Sequence, residues 1–498
     1  MSTFAKVFDP TFEDLADPYR HYNADGEPLE DRLYLPVGFD PAKRVTEGVA
    51  LHPYPGQDQI LLQRTIPTTG LTEAFRLVEE TQRLAAAFEA VPVFVFEATR
   101  ISWRPLRDLF VRLGQPTATV SAVQVRHLRG TQTRKKKSDA IDALQAAKLF
   151  KNGASHASRI PPEPMASLRE LCRAHLFFAE FLVAAQNRMA AQQCVLHPES
   201  RTPFTRVHQR TPMALVTHEL RAPARLLALS LEELSQLLRQ ASHGRYGRVE
   251  AVQLRQSALT TLAMPPAEAA VSYSLALVGR SYLYLVDQIL RPLQHRIREL
   301  LAQVPFRHHL DEIPFFGPIV IGTVLGELGH PGWFHTADDV VAWCGLDPAV
   351  FASAGKQAAG VPLTKRGSRY GRRILWLAAQ NWCKYTTIGR RFFRHYRFGK
   401  GLSYDATVCA FAARLARLSW AMLRDGTPYD ARRAFQAYLP VQLSARGALV
   451  KRHSHTPTRT HRSTGRAGNT MYWSLVPPHL HRHPSLGPLT IGMEISSS

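Results

Sequence analysis

One segment constrains the fold more than any other: the run VPVFVFEAT that starts at Val91. Its β-branched and aromatic side chains follow one another without the polar alternation of a half-exposed strand. Both faces must therefore be covered. Helix-periodic stretches flank it, LTEAFRLVEETQRLAAAFEA before and WRPLRDLFVRLG after, the second closed by Gly114. Upstream, LYLPVGFD, EGVALHP and DQILLQRT read as short extended segments. Downstream, TATVSAVQV reads as a further strand, and SDAIDALQAAKLFKNG as a helix with Ser138 at its cap and Gly153 at its end. Three strands, helix, strand, helix, strand, helix make a mixed α/β sheet domain.

The rest of the chain has a different character. MASLRELCRAHLFFAEFLVAAQNRMAAQQCVL, from Met165, is one long helical stretch without Gly or Pro. SYSLALVGRSYLYLVDQILRPLQHRIRELLAQV is a second, interrupted by Gly279 and Pro292. Paired long helices suggest a helical arm or coiled coil. Periodicity is weak between about 197 and 265, and no fold follows for that part. From Phe306 a helical unit begins, with an apolar Gly317-Pro318 turn that resembles a helix-hairpin-helix element. The expected division is an extension over 1–32, the α/β domain over 33–162, a helical linker region over 163–305, the helical unit over 306–440 and a basic disordered tail over 441–498.

Charge narrows the partner. The 498 residues carry 62 Lys and Arg against 40 Asp and Glu, a formal net charge of +22. An excess of that size favours a polyanion, and nucleic acid fits best. The longest uncharged apolar run, Ile313 to Gly326, is 14 residues, short of the roughly 18 that a spanning helix needs. No membrane role is expected, and the N-terminus has no apolar signal core. Five cysteines without CxxC spacing argue against a disulfide scaffold or a zinc site and fit a cytoplasmic, nucleoid-associated location.

Four acids stand out by position. Asp40 ends LYLPVGFD and Glu97 ends VPVFVFE. Asp139 and Asp142 are three apart, on one face of a helix. Singly, each has an ordinary explanation as a turn, cap or dipole residue. Together they can converge on one rim of a sheet. Four carboxylates there suit two Mg²⁺ ions, the arrangement that serves phosphoryl transfer. Arg134, Lys135, Lys136 and Lys137 precede the Asp pair, either as a solvated loop or as a grip on nucleic-acid backbone.

VGFDPAK, FVFEAT and KKKSDAIDA together resemble the RuvC-like domain of the DEDD-type insertion-sequence transposases. This is the IS-one-ten family, which includes the Piv invertase and the bridge-RNA-guided recombinases. The resemblance puts the family's acids on Asp40, Glu97, Asp139 and Asp142. Arg100 follows Thr99 where the family usually has Gly, and Ser138 stands where Thr is usual. GLDPAVFASAGKQAAGVPLTKRGSRYGRRIL resembles the family's second block, an all-α C-terminal transposase domain, and puts its serine on Ser353. Ala354 follows the serine, with Gly355 one later.

The resemblance implies a DNA transposase or site-specific recombinase. Ser353 would attack a DNA phosphate, and Lys365, Arg366, Arg372 and Arg373 would hold it. Implied partners are element ends and target DNA, a second copy or more of this chain, and, in part of the family, a structured guide RNA. Two other readings stay open: a metal-only nuclease of Holliday-junction-resolvase type, and a non-catalytic nucleic-acid-binding protein.

Overall fold

A computed structural model describes residues 33–438, apart from 99–101, 133–137, 158–159, 202–203, 205–209, 264–265, 350–351, 354–355 and 358–361. The expected extension over 1–32 and the tail over 441–498 lie outside the described residues. The chain divides into two compact units, one from Met1–Leu176 and Arg291–Pro440, the other centred on Phe177–Leu290.

The first unit opens with β1 (Tyr34–Pro41), β2 (Val45–Leu51) and β3 (Ile60–Pro67), then α1 (Leu71–Ala86), β4 (Val91–Glu97), α2 (Arg104–Arg112), β5 (Thr117–Val120), α3 (Ala122–Gln132), α4 (Asp139–Lys151) and β6 (His156–Ala157). The strands form one six-stranded sheet of order β3-β2-β1-β4-β5-β6. β1, β4 and β5 run parallel, while β2, β3 and β6 are antiparallel to their neighbours. β4 is buried on both faces, as its composition predicts. Phe94 and Phe96 join Val37, Phe39, Leu77 and Phe110 on the face covered by α1 and α2. Val93 and Val95 join Val125, Ala146 and Leu149 on the face covered by α3 and α4.

The segment TATVSAVQV is a strand only as far as Val120; from Ala122 it is helix α3. The valines that mimic strand alternation are helical. Val125 is buried with Leu128 packed behind it at i+3, and Val123 points outward at 59 % exposure. Burial of one face by α4 and β5 outweighs the β preference of valine.

The long helix α5 (Met165–Leu196) follows. In the second unit α6 (Arg210–Thr217), α7 (Pro223–Ala228), α8 (Leu231–Ser242) and α9 (Arg248–Thr260) enclose a core of Leu215, Leu226, Leu234, Leu238 and Leu254. No fold follows from the sequence pattern here, yet α8 does carry a legible signal: leucines at helical spacing behind a Ser230–Glu233 capping box. α10 (Glu268–Tyr284) runs antiparallel to the later part of α5, with Gln192 donating to Ser274 at 2.6 Å and Gln186 to Tyr282 at 3.4 Å.

Gly279 does not interrupt α10. A Cβ there would lie 2.6 Å from a Val216 methyl, so the glycine seats α6. Nor does Pro292 break the helix. A π-helical turn, Leu285–Leu290, leads into α11 (Arg291–Ala302), and the wider turn accommodates the missing proline N–H.

The first unit resumes with α12 (Pro318–Leu328), α13 (Ala337–Trp343), the strand pair β7 (Ala352–Ser353) and β8 (Lys356–Gln357), α14 (Arg369–Tyr385), α15 (Thr387–Arg394), α16 (Tyr404–Asp425) and α17 (Ala431–Phe435). Their shared core includes Leu168 and Cys172 of α5, Ile297 of α11 and Trp382 of α14. Two helices, Glu268–Ala302 and Tyr404–Asp425, are long and apolar enough to cross a membrane by length and composition. The first carries Arg280, Asp287 and Arg291 along its length, and the second buries Val408, Phe411, Leu415 and Trp420 in the shared core.

Candidate active site

Backbone geometry directs the four acids towards one end of the sheet. Phe39 of β1 pairs with Phe96 of β4 in parallel register, so Asp40 and Glu97 are the next residues along neighbouring strands. Side chains alternate along a strand, and Phe39 and Phe96 face α1 and α2. Asp40 and Glu97 therefore share the face covered by α4. Glu97 is 8 % exposed and Asp40 is half-buried.

α4 lies antiparallel to β1. At its end Phe150 touches Tyr34 with ring centroids 6.1 Å apart, and Lys151 donates to the carbonyls of His52, Tyr54 and Gln57. In its middle it presses on Gly38, where a Cβ would lie 2.0 Å from the Ala143 carbonyl oxygen. Its first turn, with Asp139 and Asp142, thus reaches past Gly38 towards the end of β1 that carries Asp40. Ser138 caps the helix by accepting from the Ile141 N–H at 3.3 Å.

The two aspartates differ in environment. Asp139 is exposed, whereas Asp142 is 4 % exposed. Both carboxylate oxygens of Asp142 accept from Arg129 of α3 at 2.6 Å. Among the described residues, no group of three or more His, Cys, Asp or Glu is drawn close enough to hold a metal ion. Carboxylates repel one another, and here a guanidinium balances the most buried aspartate. The basic run Arg134–Lys137 lies outside the described residues.

The serine region is organised by loop closure. Backbone pairing sets Ser353 opposite Lys356. A bridge between Pro348 and Leu363 and a 2.6 Å hydrogen bond from the Thr364 hydroxyl to Asp347 tie the base of this excursion. Lys365 and Arg366 follow that base, both exposed. Lys365 has φ 53° and Gly367 φ 95°; a Cβ on Gly367 would lie 2.1 Å from the Trp343 carbonyl oxygen. Ser368 caps α14 by accepting from Gly371 N–H at 3.0 Å. Arg372 reaches back to the Cys344 carbonyl at 3.2 Å, and Arg373 is half-buried.

Below that cap sits Glu327, 2 % exposed. It accepts from Arg173 at 2.6 and 3.0 Å and from the Ser368 hydroxyl at 2.8 Å, with Arg169 at 3.8 Å. Burial works against its charged form, but the Arg173 hydrogen bond and the Arg169 charge outweigh it, so the carboxyl stays below the ordinary carboxylate range. Gly322 and Gly326 let α12 approach α5 closely enough for these contacts. A Cβ on Gly326 would lie 2.7 Å from the Arg169 Cα.

Known proteins match both halves of this arrangement. A DEDD transposase model of IS110 type matches residues 37–196, and the model of the transposase IS116/IS110/IS902 family matches residues 307–394. A 44.8 kDa protein of insertion element IS116 from Streptomyces clavuligerus is 24 % identical over 64 % of this chain and 79 % of its own length. A protein of insertion element IS110 from Streptomyces coelicolor is 27 % identical over 30 % of this chain and 37 % of its own. The transposase for insertion sequence element IS1328 from Yersinia enterocolitica is 26 % identical over 31 % and 47 %.

The chain belongs to the IS110 family of DEDD transposases. All four acids of this transposase lie in the first match, and Ser353, Lys365, Arg366, Arg372 and Arg373 lie in the second. A DEDD domain implies a RuvC-like fold and divalent-metal dependence, and the mixed sheet is consistent with that fold. The acids fit a hard cation by donor chemistry, since all four offer carboxylate oxygens. Sequence reasoning missed two residues. Arg129 gives no local signal: the strand reading takes in only the first four residues of its helix, 122–125, and leaves the rest unassigned. Glu327 does give one: a lone acid in the apolar stretch PIVIGTVLGEL needs buried partners.

Proposed function

We propose that this transposase cuts and rejoins DNA strands with a divalent-metal site on Asp40, Glu97, Asp139 and Asp142 and with Ser353 as nucleophile. The observation that carries the reading is the antiparallel seating of α4 on Gly38, which sends the acidic first turn towards the Asp40–Glu97 rim. Two Mg²⁺ ions bound there would polarise the scissile phosphate and stabilise its leaving oxygen. Asp142 would exchange its Arg129 contact for that role. Ser353 Oγ forms a bond to phosphorus as one P–O bond of the strand breaks. The serine loses its proton, and the displaced sugar oxygen gains one. The resulting phosphoserine ester conserves the bond for rejoining. Lys365 and Arg366, exposed at the base of the serine excursion, and Arg372 and Arg373 on α14 position the phosphate.

The reading extends to a cytoplasmic protein that works as a homo-oligomer, with the long helices α5 and α10 as a coiled-coil arm and the Gly317-Pro318 turn as a helix-hairpin-helix contact to DNA backbone. A structured guide RNA is a further partner that the +22 charge accommodates. The test uses DNA bearing the element's ends, with Mg²⁺, resolved on denaturing gels. A protein–DNA covalent species is expected from the unaltered chain and is lost in Ser353→Ala. Asp142→Ala is expected to lose at least about 100-fold in exchange with binding within about threefold. Cutting that survives Ser353→Ala without any adduct would instead identify a metal-only nuclease.

A further inference from the structure

A surface beyond the proposed chemistry lies on α15 and the turn that follows it. Residues 348–404 contain twelve Lys and Arg and no Asp or Glu. Arg390, Arg391 and Arg394 are exposed on α15, and Lys400 is exposed on the following turn. Among the described residues none of the four makes an ion pair. An apolar ring stands beside them: Phe398 is 73 % exposed. Behind it, Phe393 lies edge-on at 6.4 Å, and Tyr404, 44 % exposed, lies 5.5 Å from Phe393.

The turn that presents Phe398 is tied down. Residues His395–Gly399 form a π-helical turn. Lys400 N–H donates to the His395 carbonyl at 3.0 Å, Leu402 N–H to the Tyr396 carbonyl at 3.1 Å and the Arg397 guanidinium to the Leu402 carbonyl at 2.9 Å. Burying a phenylalanine stabilises a fold, and this position forgoes that gain.

We infer that this surface binds an unpaired nucleic-acid strand, with Arg391, Arg394 and Lys400 on its phosphates and a base stacked on Phe398. The uniform positive charge selects a polyanion over a protein partner. The exposed ring selects unpaired bases, because a duplex offers groove edges and phosphates but keeps its base faces stacked. The inference takes the partner's class from the reading of the chain as a transposase but needs neither the metal site nor Ser353.

The test is equilibrium binding of the full chain to fluorescein-labelled 20-nucleotide single-stranded DNA, single-stranded RNA and the matching DNA duplex, by anisotropy. Phe398→Ala is expected to weaken binding of at least one single strand about tenfold and of the duplex less than twofold. The strand with the larger loss names the source. Phe398→Trp is expected to restore affinity, with indole quenching on binding. Arg391→Ala with Arg394→Ala is expected to reduce the salt dependence on every probe. Equal losses on single strands and duplex, or no loss on either, overturn the proposal. Since no catalysis is measured, such a failure leaves the Ser353 adduct test untouched.

Discussion

The acid-bearing sheet and the serine-bearing helical region place their side chains by different means. In the sheet, position follows from regular structure: strand ends hold Asp40 and Glu97, and a helix's first turn holds Asp139 and Asp142. In the helical region, position depends on contacts far apart in the chain. Glu327 of α12 joins Arg173 of α5, 154 residues away, to the Ser368 cap of α14. An arrangement made of element ends tolerates change in distant sequence, whereas a helix cap hung on one buried ion network does not.

Three substitutions probe that contrast. Glu327→Ala leaves Arg169 and Arg173 without their buried counter-charge and with only the exposed Glu170 nearby, and a loss of about 3 kcal/mol is expected by denaturant unfolding. Hydrogen exchange should rise in α12 and α14 while β1 and β4 stay protected; loss spread evenly over both regions would erase the distinction. Gly38→Ala drives a methyl into the Ala143 carbonyl, with an expected cost of about 1–3 kcal/mol. Its exchange signature should fall on α4, with α14 unchanged. Unaltered protection of α4 would show that the helix does not rest on Gly38.

The smallest effect is a pH dependence confined to the helical region. His175 Nε2 accepts from the Gln294 side-chain amide at 3.1 Å, and burial lowers its pKa from 6.5 to about 4. The folded state therefore resists a proton that the unfolded state takes up below 6.5. Stability falls as the pH drops from 6.5 towards 4, by about 1 kcal/mol at pH 5.5 from this group. His175→Gln is expected to remove that slope from thermal melts between pH 7 and 5.5. A slope of the same size in the variant would assign it elsewhere.

Much of the sheet is legible from local pattern. The both-faces-buried β4, the Ser138 cap and the uninterrupted α5 all follow from neighbours within a few residues. The failures have one cause. Valines at 123 and 125 carry a strand-like alternation, and only packing of α3 on its neighbours makes them helical. Pro292 carries a helix-breaking signal, and a widened turn absorbs it. The described part of 197–265 rests on a core drawn from four short helices; α8 alone carries a clear local signal, its Ser230–Glu233 capping box and leucines at helical spacing, and the other three take their place from the shared core.

By itself, the amino-acid sequence determined the order of β1 to β5 with α1, α2 and α4, the basic character of the chain and the family it resembles. Those properties are set by side-chain periodicity, caps and charge, which act over a few residues or need no geometry at all. Tertiary structure alone decided that α4 runs back over Gly38, that Arg129 sits on Asp142, and that Glu327 lies beneath the cap of α14. Each of these is a contact between distant segments, chosen by shape and by the need to pair buried charge, and no local pattern specifies it.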